Sequence, residues 1–296
     1  MRVVALIAAY NEERYMTQCL EHLFRHGVEA YLIDNESTDR TVAIAEQYLG
    51  RGLIGIETMS RARGHILREK LERKEELAFT LEAEWFMHMD ADEFRLPPRP
   101  DQTLAQALAE VEAQGYNAVN FLEFVFIPTQ ESPNHEHTRF QETMRRYYPF
   151  MPAFPHRLNA WKRQSGRVDL ASSGGHRVSF PGLKMCPQSF RMRHYHFLSV
   201  EHAVAKLVGR PYAPEELAKG WHGWRAKLRR EMIRLPSQVD LREYTSDAAL
   251  DPTHPRPRHY LADLVPEGSA ETDGIGRCVS LPSSPPTTKS ASSLGV

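Results

Sequence analysis

Residues 3–9 form an unbroken apolar run that stops at Tyr10-Asn11-Glu12-Glu13. A short apolar run closed by polar residues predicts a strand buried on both faces. Over 12–26 the period changes: Met16, Cys19, Leu20, Leu23 and Phe24 share one helical face, and Gly27 marks the stop. The alternation then repeats. A strand is predicted over 28–33, closing at Asp34-Asn35, followed by a helix over 40–49 with Thr38-Asp39 as its cap and Gly50 and Gly52 as its stop. A strand over 53–56, a charged helix over 63–83 and a strand over 85–89 follow, the last running into Asp90-Ala91-Asp92. Parallel neighbours need a crossover, and each helix supplies one, so this order predicts an α/β fold with a Rossmann-like, mostly parallel sheet. Ligands of such sheets bind beyond the carboxyl ends of the strands. Asn11, Asp34, Asn35, Asp90 and Asp92 all stand at those ends.

The pattern changes after Pro97-Pro98-Arg99-Pro100. Leu104, Ala107, Leu108 and Val111 stripe a helix over 102–114, and 117–127 read as a strand. Residues 128–160, rich in proline, aromatics and histidine, predict long loops. Short strands are expected over 161–200 with turns at Ser165-Gly166 and Gly174-Gly175, then helices over 200–209 and 214–233. From 265 onward the chain is rich in Ser, Pro, Thr and Gly, the composition of a disordered tail. The expected division is 1–95, a mixed second half of the same domain over 96–264, and a tail over 265–296.

Composition removes several classes. The 296 residues are 41% apolar and 25% charged, which is ordinary globular usage. Lys+Arg number 37 against 38 Asp+Glu, so a partner attracted by bulk positive charge, nucleic acid above all, is not expected. An anionic ligand has to be met by a local site. No apolar run reaches the roughly 18–20 residues of a membrane span. The three cysteines, Cys19, Cys186 and Cys278, are widely spaced and fit a reducing compartment better than a disulfide or zinc framework. Arg2 before residues 3–9 superficially resembles a signal peptide, but the polar run that follows at once favours a first strand. A cytoplasmic protein is expected, at most peripheral to the inner face of a membrane.

The turn after the first strand contains no glycine, so neither a dinucleotide fingerprint nor a phosphate-binding loop is present. Asp90-Ala91-Asp92 offers another route to an anion. Two carboxylates at i and i+2 after a buried strand can share a hard cation, Mn²⁺ or Mg²⁺, which bridges diphosphate oxygens. The plainer alternative is a solvated acidic strand end. Asp34 can accept from a base or ribose, while Asp39 suits a helix cap. His194 and His196, at i and i+2, share one side of a strand and can complete a metal shell or touch a diphosphate. His135 and His137 share the spacing but sit in a loop and read as structural. Arg61, Arg63, Arg68, Lys206 and Arg210 can neutralise phosphate, or serve as solvated helix charges. Trp221 and Trp224 flank Gly223 and can form a platform for a sugar ring or pack a helix. Leu228 to Ile233 can lie on a membrane, although a solvated helix face suits them better.

Ala8-Ala9-Tyr10-Asn11-Glu12-Glu13, then Asp34-Asn35-Glu36-Ser37-Thr38-Asp39-Arg40-Thr41, then Asp90-Ala91-Asp92-Glu93-Phe94, resemble in order and spacing the family 2 glycosyltransferases, and within them a branch whose metal motif reads D-A-D-E-F. His194-Tyr195 before the helix carrying Lys206 resembles the late His-Tyr segment of that branch. The resemblance implies a GT-A fold and transfer of a sugar from a nucleoside-diphosphate donor, UDP- or GDP-linked, with a divalent metal. It implies Ala9, Asn11 and Glu12 near the nucleoside, Asp34 at the base, Asp90 at the ribose or metal, and Asp92 on the metal. Residues 1–95 become the donor half and 96–264 the acceptor half. It also implies inversion: an acceptor hydroxyl attacks opposite the departing diphosphate while a carboxylate takes its proton.

The sequence departs from the family where that carboxylate belongs. Ser172-Ser173-Gly174-Gly175-His176-Arg177 contains no acidic pair. Asp169 and His176 are the nearest candidates for the base, with Glu142 behind them. Two rivals follow. A sugar-nucleotide nucleotidyltransferase also uses a Rossmann-like sheet with a carboxylate-bound metal, but carries a basic glycine-rich loop that is missing here. A degenerate transferase acting as a binding module would explain the missing acidic pair and would leave the D-x-D unexplained. The acceptor, a glycan, glycolipid or other hydroxyl compound of polysaccharide-type synthesis, stays open.

Overall fold

The computed structural model describes residues 1–62 and 66–266. The first half runs β1 (Val3–Ala9), α1 (Glu13–Arg25), β2 (Glu29–Asp34), α2 (Thr41–Glu46), β3 (Leu53–Thr58), α3 (Leu67–Thr80), β4 (Trp85–Met89) and β5 (Glu93–Leu96). The second continues with α4 (Leu104–Ala113), β6 (Ala118–Phe126), α5 (Phe140–Thr143), β7 (Arg146–Phe150), β8 (Leu158–Lys162), β9 (Phe190–Tyr195), α6 (Val200–Leu207), α7 (Pro214–Ala218), α8 (Gly223–Lys227), β10 (Arg242–Glu243) and α9 (Tyr260–Asp263).

One sheet joins both halves in the order β10-β7-β6-β8-β4-β1-β2-β3, with β5 on β9 and β9 on β6. The β4-β1-β2-β3 side is parallel throughout, as the alternating pattern requires. Beyond β4 the pairings with β8, β7 and β10 are antiparallel, while β9 lies parallel to β6 and antiparallel to β5. This is the expected GT-A-like layout, a parallel first side and a mixed second side.

The apolar run of β1 is divided between two layers. Val3, Ala5, Ile7 and Ala9 pack with Met16, Leu20 and Leu23 of α1. Val4 and Leu6 pack on the opposite face with Leu71 and Leu77 of α3. A strand covered on both faces has no polar face to show, so its sequence does not alternate. A third apolar cluster, with Val125, Phe150, Leu207 and Trp224, ties β6 to the C-terminal helices.

Three expectations need correction. Residues 128–160 are not simply loops: β7 and the start of β8 lie within them. Pro149 hid β7; it takes its place beside β6 and pairs with Phe124. The helix expected over 214–233 is broken into α7, α8 and a 3₁₀ turn at Arg230–Met232, because Gly220 at φ +77° and His222 at φ +60° turn the chain out of helical geometry. Asp39 is not the cap of α2, whose N-cap is Arg40 without a side-chain bond; its carboxylate accepts from Thr41 N at 2.9 Å and from Glu13 N at 3.1 Å, tying the starts of α2 and α1 together. The tail expected from 265 falls, beyond 266, outside the described residues, as does Arg63. Among the described residues no helix is long and apolar enough to cross a membrane.

Candidate functional site

The carboxyl ends of β1 and β4 open onto a cavity of about 280 Å³. Ala9, Glu12, Asp90 and Asp92 line it from the first half. Arg157, His176, His194, Lys206, Arg210 and the two tryptophans Trp221 and Trp224 line it from the second.

The β5–β9 ladder assembles its centre. Glu93 is paired with His194, and Tyr195 N–H donates to the Asp92 carbonyl at 2.9 Å. That register carries His194 across 102 positions of sequence, so that its Nε2 lies 3.2 Å from Asp92 Oδ2. Helix α6, capped by the Ser199 hydroxyl on His202 N–H, delivers Lys206 to the same spot. Lys206 Nζ donates to Asp92 Oδ2 at 2.8 Å and to Glu12 Oε2 at 3.2 Å.

The charges hold one another in place. Burial alone would raise the Asp92 carboxyl, but Lys206 and His194 outweigh it and hold the group well below the usual carboxylate range. Burial opposes charge on Lys206 too, and Asp92 and Glu12 hold it up at about 12. His194 is treated the same way: against burial, Asp92 and Glu123 raise it to about 10. Glu12, lifted mainly by burial, stands at about 7. Farther along the wall, burial lowers Lys70 to about 7 and Lys74 to about 8. Lys74 Nζ meets His88 Nδ1 at 2.9 Å and the Met89 carbonyl at 3.1 Å.

The donor set suits a small hard cation only in a particular way. Among the described residues, no group of three or more His, Cys, Asp or Glu side chains is gathered as a cage. Mg²⁺-type sites need no cage: one or two carboxylates suffice when substrate phosphates and water complete the shell. Asp92 Oδ2 and His194 Nε2 converge on the cavity, and the exposed Asp90 carboxylate lies on its rim. That set fits an ion brought or completed by a diphosphate.

The family profile for Glycosyl transferase family 2 matches residues 4–165. The chain belongs to this family. It is a glycosyltransferase, with the mixed α/β architecture described above. A search of curated proteins finds no match. Solved structures of S. aureus TarS resemble it distantly. TarS 1–349 shows 13% identity over 74% of this chain and 69% of that one, with a TM-score of 0.40. TarS 1–349 in complex with UDP-GlcNAc shows 14% identity over 74% and 64%, with a TM-score of 0.42. A likeness this distant identifies neither substrate nor mechanism.

Within this glycosyltransferase the residues singled out by sequence fall into two groups. Ala9, Glu12, Asp90, Asp92, His176, His194, His196, Lys206, Arg210, Trp221 and Trp224 all line the cavity. The positions described next, His176 excepted, are not among its lining residues. Asn11, at φ +57°, accepts from Thr38 N at 2.8 Å and donates to Thr38 Oγ1 at 3.2 Å, so it fastens the β1 turn to the loop after β2. Asp34 is buried beside Ala9 in the ladder. Its Oδ2 accepts from Ser37 N at 3.0 Å, and its Oδ1 is buried with no hydrogen-bond partner. Asp169 accepts from Ser172 N at 2.9 Å and exchanges backbone bonds with Ser179, which makes it a turn cap. Glu142 pairs with Arg139 on the exposed face of α5. His176 stacks on His156 with ring centres 4.7 Å apart, and its Nδ1 is buried without a partner. Burial, His156 and Arg157 hold His176 well below its usual value, so it is a neutral imidazole. Arg68 pairs with Glu72 along α3, whereas Arg61 packs 3.5 Å over the Tyr10 ring. His135 is held by Thr143 and Ser132, a structural role as expected.

Sequence reading missed Glu123, Arg157 and the paired lysines of α3. Glu123 carried a signal: one acid within Phe121-Leu122-Glu123-Phe124-Val125, where a lone charge on a buried strand demands a partner.

Proposed function

We propose that this enzyme transfers a sugar from a UDP- or GDP-linked donor to an acceptor hydroxyl with inversion, and that it represents the D-A-D-E-F branch of its family. The observation that carries this reading is the meeting of Glu12, Asp90, Asp92, His194 and Lys206 on one cavity at the strand ends. A Mn²⁺ or Mg²⁺ ion held by Asp92 and His194, with Asp90 at the rim, would supply charge neutralisation to the leaving diphosphate. Lys206 adds a fixed positive charge beside it, and Arg210 a second from the same wall. The partnerless Asp34 Oδ1 suits an N–H of the base. Trp221 and Trp224 on the cavity wall offer apolar ring surface to an acceptor. His176, on the wall, is our candidate to accept the acceptor's proton, a role that burial, His156 and Arg157 oppose unless substrate charge offsets them.

The test is calorimetric titration with UDP and GDP, with and without Mn²⁺, on wild type and Asp92→Ala. Metal-dependent binding of one nucleotide, lost in the variant, is expected. A folded protein that takes up neither nucleotide refutes the donor reading.

One observation favours a second reading. Every carboxylate lining the cavity (Glu12, Asp90, Asp92 and Glu93) comes from the segments just after β1 and β4. A module that binds donor without transferring it would need no other. Metal-dependent hydrolysis of UDP- or GDP-sugar by wild type, abolished in Asp92→Ala, speaks for the transferase.

A further inference from the structure

Glu123 belongs to β6, in the second half of the chain, and its side chain is fully buried. Arg157 grips it from one side, Nε on Oε2 at 2.7 Å and Nη2 on Oε1 at 3.1 Å. His156 Nε2 stands 3.5 Å from Oε2. On the other side Oε1 lies 2.6 Å from His194 Nδ1. The parallel β6–β9 ladder sets this contact: Glu123 is level with Met192 and Val125 with His194, so Glu123 and His194 are diagonal neighbours on one face.

A carboxylate oxygen only accepts, so the short contact commits the Nδ1 proton to Glu123. The ring cannot turn over without losing that bond. Nε2 is then aimed at Asp92 Oδ2, 3.2 Å away. Asp92 Oδ2 already accepts from Lys206 Nζ at 2.8 Å, and a bare Nε2 lone pair facing that oxygen as well would be repelled unless a cation lay between them. A proton fills the role in the free protein.

We propose that Glu123 is the positioning residue of the cation site. It fixes the rotation of His194 and keeps a proton on Nδ1, so that Nε2 is the nitrogen that exchanges its proton for a divalent ion beside Asp92 when donor diphosphate arrives. Arg157 does not need Glu123 alone for neutralisation, because Glu93 lies 3.6 Å away on its other side. The proposal rests on the metal reading above. Carboxylates that orient a ligating histidine through its second nitrogen alter metal affinity by about 10- to 100-fold when removed.

Two measurements test it. The first is Mn²⁺ uptake followed by the resonance of free Mn²⁺, with whichever of UDP and GDP binds. Glu123→Gln is expected to weaken uptake by about 10- to 100-fold, with its circular dichroism unchanged. Uptake within twofold of wild type overturns the proposal and leaves the metal reading intact. No uptake by wild type overturns both. The second is proton and nitrogen NMR of the histidine rings in the metal-free protein, with His194→Gln for assignment. A far-downfield Nδ1–H of His194 is expected in wild type. A His194 ring whose Nδ1 carries no such proton overturns the proposal even where Glu123→Gln does not fold.

Discussion

Lys206 Nζ lies 2.8 Å from Asp92 Oδ2, bridging 114 positions of sequence on the cavity wall. Lys206→Met removes the ammonium and keeps much of the apolar stem against Tyr15, whose ring centre lies 4.9 Å from Nζ. Loss of one charged hydrogen-bond donor to the diphosphate is expected to cost about 1.5–3 kcal/mol, roughly tenfold to hundredfold in nucleotide affinity. Titration calorimetry with the bound nucleotide reads it. Unchanged affinity removes Lys206 from the diphosphate site.

Asp34→Asn tests the base contact. The Ser37 N–H can still be accepted by an amide oxygen, so the loop after β2 is expected to hold its shape. The partnerless Oδ1 position receives an NH₂ group if the amide is so oriented, which repels a base N–H. Affinity for the free nucleoside is expected to fall about tenfold, consistent with one lost hydrogen bond of roughly 1–1.5 kcal/mol. A ribose phosphate lacking the base should be unaffected. Equal losses for both ligands argue that Asp34 only shapes the turn.

Asp169 and His176 separate cleanly in the structure. Asp169→Asn should leave turnover within twofold of wild type and reduce stability by at most about 1 kcal/mol, the scale of a turn cap. His176→Gln should lower turnover at least tenfold while donor affinity holds. The opposite pattern would return the base to Asp169.

Gly175 sits at φ +84°, and a Cβ there would lie 2.9 Å from His88 Nε2 and 3.0 Å from Leu71 Cδ2. Its carbonyl also accepts from Asn159 Nδ2 at 2.7 Å. Gly175→Ala is expected to lose about 1–3 kcal/mol, from backbone strain and the crowding together. Urea unfolding measures it. A neutral substitution would mean the loop over His88 moves freely.

Two buried histidines make stability fall in mild acid. Burial lowers both His22 and His202 to about 3. His22 Nε2 meets the Arg95 carbonyl at 2.6 Å, and His202 Nδ1 accepts from Leu198 N–H at 3.1 Å, a bond that protonation destroys. The folded-state value lies below the unfolded 6.5, so the unfolded chain takes up protons first. This stability is complete above the unfolded value and is lost as pH falls from 6.5 toward about 3. Each histidine adds about 1.4 kcal/mol per pH unit to the slope within that window. His202→Gln, whose amide oxygen can accept the Leu198 bond, should flatten the slope by one proton in urea titrations between neutral pH and mild acid. An unchanged slope would show that His202 is already charged in the fold.

The first half of the chain was legible because its information is local. β1 through β4 announce themselves by apolar runs and helical stripes, and the strand-end positions of Asp34, Asp90 and Asp92 follow from the alternation alone. β7 was hidden by Pro149, which breaks the usual strand composition without breaking the pairing on β6. The long helix expected over 214–233 failed at Gly220 and His222, where the backbone takes left-handed geometry.

What the sequence determined by itself was the parallel sheet, its carboxyl-end site, and the types of group that gather there. Hydrophobic period and chain reversal act over a few residues, and a linear text records them directly. What only the tertiary structure decided was which distant groups meet. The β5–β9 register puts His194 on Asp92, the β6–β9 register puts Glu123 on His194, and α6 brings Lys206 to both Asp92 and Glu12. Those contacts join residues 71 to 194 positions apart. They depend on ladder register and helix placement, which no local pattern encodes. A one-residue slip in either ladder would turn His194 to the opposite face of the sheet and dissolve the site.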